Sequence, residues 1–434
     1  MTAVLIICIL TVVAMIALVL FEPRLHPRHA AMRIFWIAPL LGALVLFLSG
    51  KISGRAIMAG LTADTAVNPL KILVLFFAMT LMSLFLDEAG FFRVLAGALL
   101  RRAGGSQTTL FFALYATVSA LTVFTSNDII VLTFTPFICY FCKNAHIDPL
   151  PYLICEFVAA NTWSMALIIG NPTNIYLAAG AGVSFASYTA VMLLPTVLAG
   201  AVSFGMLWLI FHRRLREPIH TTPPEAVVQD KPTMLLGLAA LGGCLVFLVL
   251  SSYLELPMWK IAAIACVMLY VAVVPELLVR HRGLSTVRHS IARAPFDIVP
   301  FVLSMFVLVL ALDGVGATAT AARLLAGDGV WGTTLGYGIA SFLTANLVNN
   351  IPMSVLFSSI AAAGGGSAAA LYAAVIGSNI GAFLTPVGAL AGIMWMSLLK
   401  VQGVSLSFLR FLEYGALVSI PSLLCALAGL AIVL

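Results

Sequence analysis

The residues best placed to bind something lie in two short stretches of an apolar chain. Residues 119–129 read SALTVFTSNDI and residues 341–351 read SFLTANLVNNI, so Ser119, Leu121, Thr122, Asn127 and Ile129 recur as Ser341, Leu343, Thr344, Asn349 and Ile351, 222 positions on. Amides and hydroxyls at such spacing offer oxygens to a cation and N–H or O–H donors to an anion. Polar interruptions repeated at corresponding places of two hydrophobic halves are the mark of a secondary transporter whose site lies at the bilayer midplane.

Each half has a second interruption downstream. Gly170-Asn171-Pro172-Thr173-Asn174 breaks the apolar run from Pro151 to Gly182, and Thr385-Pro386-Val387-Gly388 breaks the run from Ala368 to Leu399. Proline removes an amide donor and clashes with the preceding turn, and glycine lets the backbone leave helical geometry, so each run should become two half-helices with free ends. Free amides favour an anion and free carbonyls a cation. One half-site is therefore assigned to Ser126, Asn127, Asp128, Asn171, Thr173 and Asn174, and the other to Asn349, Asn350, Ser378, Asn379, Thr385 and Pro386. The competing reading is that these side chains only join helices through interhelical hydrogen bonds.

Asp128 is the one carboxylate among them, and its repeat mate is Asn350. An acid in one tip and an amide in the other suit a proton or sodium site, although either side chain would also cap a helix starting at Ile129. Glu156 falls near the expected cytoplasmic start of its span, where it either relays protons or reaches the interface. Cys139 and Cys142 share a helix face, but a single C-x-x-C with no His or further Cys is weak ground for a metal site, and none is assigned. His26, His29, His212, His220, His281 and His289 fall in loops. The chain has no G-x-x-x-x-G-K-[ST] loop and no hydrolytic triad, so it is read as a non-enzyme without cofactor, driven by an ion gradient or by a partner ATPase.

The elements that must position these residues follow from composition. With 434 residues, 62% hydrophobic and only 9% charged, the chain is an integral membrane protein. Its runs of about 20 apolar residues without period-2 alternation make it all-α. The net charge of +6 is spread over short loops rather than gathered into a nucleic-acid-binding patch. Ten spans are expected, near 3–20, 33–50, 69–86, 151–182, 187–211, 233–251, 258–279, 295–312, 368–399 and 407–432, with re-entrant hairpins at 108–140 and 331–363. Placing both termini outside puts 17 of the 22 Lys and Arg in the cytoplasm, in keeping with the positive-inside rule. Five spans per half then make residues 1–211 and 233–434 inverted repeats, joined by the polar stretch 212–232 as a cytoplasmic linker.

Four segments carry a family resemblance: LDEAGFF at 86–92, Asn127-Asp128 followed by Thr135-Pro136, NNIP at 349–352, and GSNIGAFLTPVGALAGIMW at 377–395. They resemble the ArsB/NhaD group of the ion transporter superfamily, which also includes divalent-anion/sodium symporters; the last segment is similar to bacterial arsenite-efflux pumps. The resemblance implies a scaffold and a transport bundle in a bacterial cytoplasmic membrane, with hairpins and broken helices holding substrate and coupling ions. It also implies export of arsenite or antimonite against protons by an elevator or rocking motion, at times with a peripheral ATPase, and dimers among the elevator-type relatives. Two departures stand out: Asn161 and Asn379 occupy places where the pumps have Asp, and Phe383 one where they have Lys. Gly170–Asn174 is similar to sodium-coupled or carboxylate-transporting relatives. Sodium-coupled carriage of a carboxylate or inorganic anion, or sodium/proton antiport, is therefore the alternative.

Overall fold

The computed structural model describes residues 1–25, 36–64, 68–102, 105–180, 182–217, 219, 230–251 and 253–434. The first half runs α1 (Thr2–Leu25), α2 (Ile37–Leu48), α3 (Gly54–Thr62), α4 (Pro69–Glu88) and α5 (Phe91–Arg102), then α6 (Gln107–Phe124), α7 (Asn127–Ala145), α8 (Leu150–Trp163), α9 (Pro172–Gly180) and α10 (Phe185–Phe211). The second begins with α11 (Lys231–Val249), α12 (Met258–Val279), α13 (Ser285–Ala292), α14 (Ile298–Gly314) and α15 (Ala317–Leu325). It ends with α16 (Gly329–Val348), α17 (Asn350–Ala363), α18 (Ala368–Gly381), α19 (Leu390–Val401) and α20 (Phe408–Val433). No strand is formed among the described residues, as an apolar chain in lipid requires when every backbone group must be satisfied within its own segment.

Helix starts are set by the sequence. Asn68 begins α4, its side-chain oxygen accepting from the amides of Leu70 and Lys71, and Ser106, Ser184 and Ser407 do the same for α6, α10 and α20. The two segments expected as re-entrant hairpins form the helix pairs α6–α7 and α16–α17. Their outer arms pack on the first halves of the broken helices, α6 on α8 and α16 on α18. The inner arms cross over: α7 packs on α19, and α17 on α9. Helices α10 and α20 run against each other, and Trp395 of α19 stacks on Phe157 of α8 with ring centroids 4.7 Å apart. The four half-helices are thus gathered into one core.

Among the described residues six helices are long and apolar enough to cross a membrane, or seven counting α14 with α15, which bend by 81°. Five of the six, α4, α10, α11, α12 and α20, fall on expected spans, and the sixth, α6, lies in the segment expected as the first hairpin. The interrupted spans are split into pieces too short to cross alone, and α2 has only 12 residues. The stretch 212–232 lies largely outside the described residues, as do Arg28, Arg33, His26, His29 and His220.

Candidate functional site

The two interruptions follow helices of equal length. α8 and α18 each have 14 residues, Asn161 and Asn379 each stand third from the end, and gaps of eight residues, 164–171 and 382–389, separate them from α9 and α19. The first break therefore lies earlier than the expected 170–174: Pro172 opens α9, so Thr173 and Asn174 belong to its first turn. Proline at the start of a helix loses nothing, because that amide has no intrahelical partner. The second break is wider than 385–388, and Ser378 and Asn379 are helical, in the last turn of α18. In the first break two 3-10 turns, Ser164–Ala166 and Ile168–Gly170, fold the chain back on itself. A Cβ on Gly170 would come 2.2 Å from the Ser164 carbonyl oxygen, so only glycine fits there.

The Asn379 side chain closes this break from the other half. Its Oδ1 accepts from Ser164 Oγ at 2.8 Å and from Asn171 Nδ2 at 3.0 Å, while its Nδ2 donates to Asn174 Oδ1 at 2.7 Å and to the Val375 carbonyl at 2.8 Å. Asn174 Nδ2 in turn donates to the carbonyls of Ser164 and Leu167, and the Thr173 amide donates to Asn171 Oδ1. All five side chains are buried. Asn171, Thr173 and Asn174 of the first half-site and Asn379 of the second are thereby one cluster, whereas Ser126, Asn127 and Asp128 stand apart from it at the first tip.

The tips meet the breaks differently. At the first tip Thr125 and Ser126 are extended, α7 begins at Asn127, and Asn127 Nδ2 donates to Asn161 Oδ1 of α8 at 3.0 Å. At the second, Asn349 alone turns the chain, with φ 75° and ψ 154°, and its Nδ2 donates to the Val387 carbonyl at 3.1 Å. That backbone region strains a side chain by about 1–3 kcal/mol. Asn350 follows, buried, in the first turn of α17. Thr385 is held by Asn346, whose Oδ1 accepts from both the amide (3.1 Å) and the hydroxyl (2.7 Å) of Thr385, with Pro386 buried beside it.

Several buried polar atoms have no hydrogen-bond partner among the described residues, namely Asn127 Oδ1, Thr162 Oγ1, Thr173 Oγ1 and Ser378 Oγ. Leaving such a group unpaired costs about 1–3 kcal/mol, which a bound ligand would recover. Asn161, Ser164 and Asn346 were not among the residues chosen from sequence. Asn161 was marked only by the family resemblance, and Ser164 and Asn346 only as polar residues in apolar runs, which a sequence cannot distinguish from helix-joining ones.

Two cavities flank α4. One of about 420 Å³ is lined by Thr80 and Leu84 of α4, Ser126 and Asp128 of the first tip, Arg293 and Asp297. Asp128 caps nothing: it is half-buried in the first turn of α7, which starts before Ile129, and Ser126 is the residue preceding that helix. Arg293 is held by Asp87 at 2.7 Å and by Glu88. The other cavity, about 440 Å³, lies toward the start of α4 and is lined by Lys71, Ile175 of α9, Ser184 and Glu255. At its mouth the hydrogen bond from Lys71 holds the Asp64 carboxyl below the usual carboxylate range.

Other expectations change. Glu156 does not reach an interface but is fully buried in α8, and Cys139 and Cys142 are both buried. Among the described residues no group of three His, Cys, Asp or Glu is arranged to hold a metal.

Comparison with known proteins agrees with this architecture. Residues 16–375 match the family model described as CitMHS, citrate transporter. The arsenical pump membrane protein of Escherichia coli K12 is 30% identical over 82% of this chain and 85% of its own length, and another of that name from Escherichia coli is 27% identical over 96% of each. The crystal structure of the Alcanivorax borkumensis YdaH transporter superposes with a TM-score of 0.55 at 15% identity, covering 99% of this chain and 97% of that one, a likeness of fold.

Proposed function

The chain belongs to the citrate transporter family and is a relative of the arsenical pump membrane proteins, and from that membership we propose that this multi-pass ion transporter of the bacterial inner membrane exports arsenite or antimonite in exchange for protons. The observation that carries the substrate is the chemistry of the central cluster. Beside its bonded amides it carries Thr173 Oγ1 and Ser378 Oγ, buried hydroxyls without a partner among the described residues, and no Lys or Arg stands among these residues. Arsenite in neutral water is an uncharged trihydroxide that both donates and accepts hydrogen bonds, which such a lining matches. A citrate trianion would need fixed positive charge there to offset its desolvation.

The two cavities on either side of α4 are the two access routes in this reading. Substrate reaches the first past Asp128 and the second past Ile175, as the hairpins and broken helices move against α4 and α11–α13. Residues 1–211 and 233–434 act as inverted repeats about residues 212–232, and the crossed packing of α7 on α19 and α17 on α9 supports that relation. Asn127, Asp128, Asn349 and Asn350 line the path at the tips, and Ser378, Thr385 and Pro386 shape the second break.

A sodium-coupled carboxylate or anion carrier is the second reading, favoured by the family's description and by Arg293, a cation at the rim of the first cavity. As(III) and Sb(III) uptake into everted vesicles, under an imposed proton gradient and then a sodium gradient, decides between them. Proton-driven accumulation is expected. No metalloid movement under either gradient removes the first reading, and labelled citrate moving with sodium establishes the second.

A further inference from the structure

The central cluster is neutral, so a proton-coupled cycle needs a titratable group elsewhere, and the α7–α8 seam holds one. Glu156 is fully buried, and its Oε1 and Oε2 lie 3.1 and 3.0 Å from the single hydroxyl of Thr135. A hydroxyl has one hydrogen and cannot bond well to both oxygens of a carboxylate. A carboxylic acid resolves this by donating its own proton to Thr135 Oγ while accepting the threonine hydrogen on the other oxygen, closing a ring.

No cation stands in for the missing proton. Glu156 makes no ion pair among the described residues. The titratable side chains of α8 itself are Tyr152 and Cys155; those on the elements packed against it are Cys139, Tyr140 and Cys142 of α7, Tyr115 of α6, Tyr188 of α10, Tyr372 of α18, exposed Lys400 of α19, and exposed Arg410 and Glu413 with Tyr414 and Cys425 of α20. The charged residues of α7, Asp128 and Lys143, stand near its two ends, about 10 and 12 Å along the axis from Thr135. An ionised carboxylate so placed would be buried without compensation.

The seam has a second polar rung. Asn127 bonds Asn161 toward the tip and Thr135 bonds Glu156 farther along, so the hairpin arm and the broken helix are clipped together twice. We infer that Glu156, closed in a ring with Thr135, is the coupling-proton site of this transporter, an inference that rests on the proton-driven reading above. Ionisation passes the carboxyl proton to water and leaves the Thr135 hydroxyl donating to the carboxylate. Because Glu156 is sealed in this conformation, that exchange requires the α7–α8 seam to open, which ties protonation to movement of the hairpin.

The test uses the full chain in proteoliposomes of phosphatidylethanolamine and phosphatidylglycerol. Infrared difference spectroscopy across a pH step, with no substrate present, should show a protonated-carboxyl band in the wild type. The band should be absent in E156Q, displaced in T135V and restored in T135S. In everted vesicles, the ratio of ΔpH-driven As(III) accumulation to As(III) counterflow should fall at least tenfold in E156Q. A band that survives in E156Q, or an unchanged ratio, overturns the assignment; T135V and T135S keep the spectroscopic test decisive if E156Q folds poorly. If the wild type moves no As(III) at all, the substrate reading fails, while the infrared result still decides whether Glu156 carries a proton.

Discussion

The two breaks have the same length and follow helices of the same length but are held in opposite ways. The first, 164–171, is closed by Asn379, which belongs to the other half, whereas the second, 382–389, is closed from within its own half by Asn346 and Asn349. Asn379 uses both oxygen lone pairs and both amide hydrogens, while its counterpart Asn161 accepts one bond from Asn127 and donates one to the Phe157 carbonyl. The first break and α18 are therefore bound as one body across the halves. The first tip keeps one buried oxygen, Asn127 Oδ1, without a partner among the described residues.

The comparison is broken most severely at Asn379. N379A removes a hub and takes away one bond each from Ser164 Oγ, Asn171 Nδ2 and Asn174 Oδ1; three such bonds amount to about 3 kcal/mol, or roughly a hundredfold in transport rate. N161A, which removes fewer bonds, should reduce rate about tenfold. Vesicle transport assays on both variants check the ranking, and equal losses would mean that the halves are held alike.

Next in size is G170A. A Cβ there meets backbone at 2.2 Å, against 2.5 Å to the Gly381 carbonyl oxygen and 2.7 Å to Asn346 Oδ1 for a Cβ on Gly388. G170A should lower stability by about 2–4 kcal/mol, and G388A by less because its closest backbone contact is longer. Thermal unfolding in detergent measures both.

D128N sharpens the contrast between the tips. Asn350 shows that an amide is accommodated at the equivalent place, so D128N should express normally and lose gradient-driven transport about tenfold or more, with the acid's charge as the cause. Undiminished coupled transport would remove Asp128 from the path. N349G should be nearly neutral in stability, within about 1 kcal/mol, since relief of backbone strain offsets loss of the bond to Val387. The smallest effect is expected of C139S with C142S. Two buried thiols without a third ligand should leave As(III) transport within about twofold of wild type, and a large loss would assign them to the metalloid.

The sequence by itself determined the fold class, the two hairpins, the presence of two breaks and most of the polar residues near them, because composition and the 222-residue recurrence are properties of the chain alone. It misplaced the first break, because proline reads as a breaker but is at home in the first turn of α9. Only the tertiary structure decided which residues meet. Asn171, Asn174 and Asn379 are 205 to 208 positions apart, and nothing local specifies their bonds. Burial of Glu156 was likewise invisible, since a glutamate five residues before Asn161 reads the same whether its helix begins at the interface or inside the protein. The physical reason is common to both. Hydrophobic pattern tells which segments enter the membrane, whereas the partner of a buried polar atom is set by packing between segments that the pattern does not order.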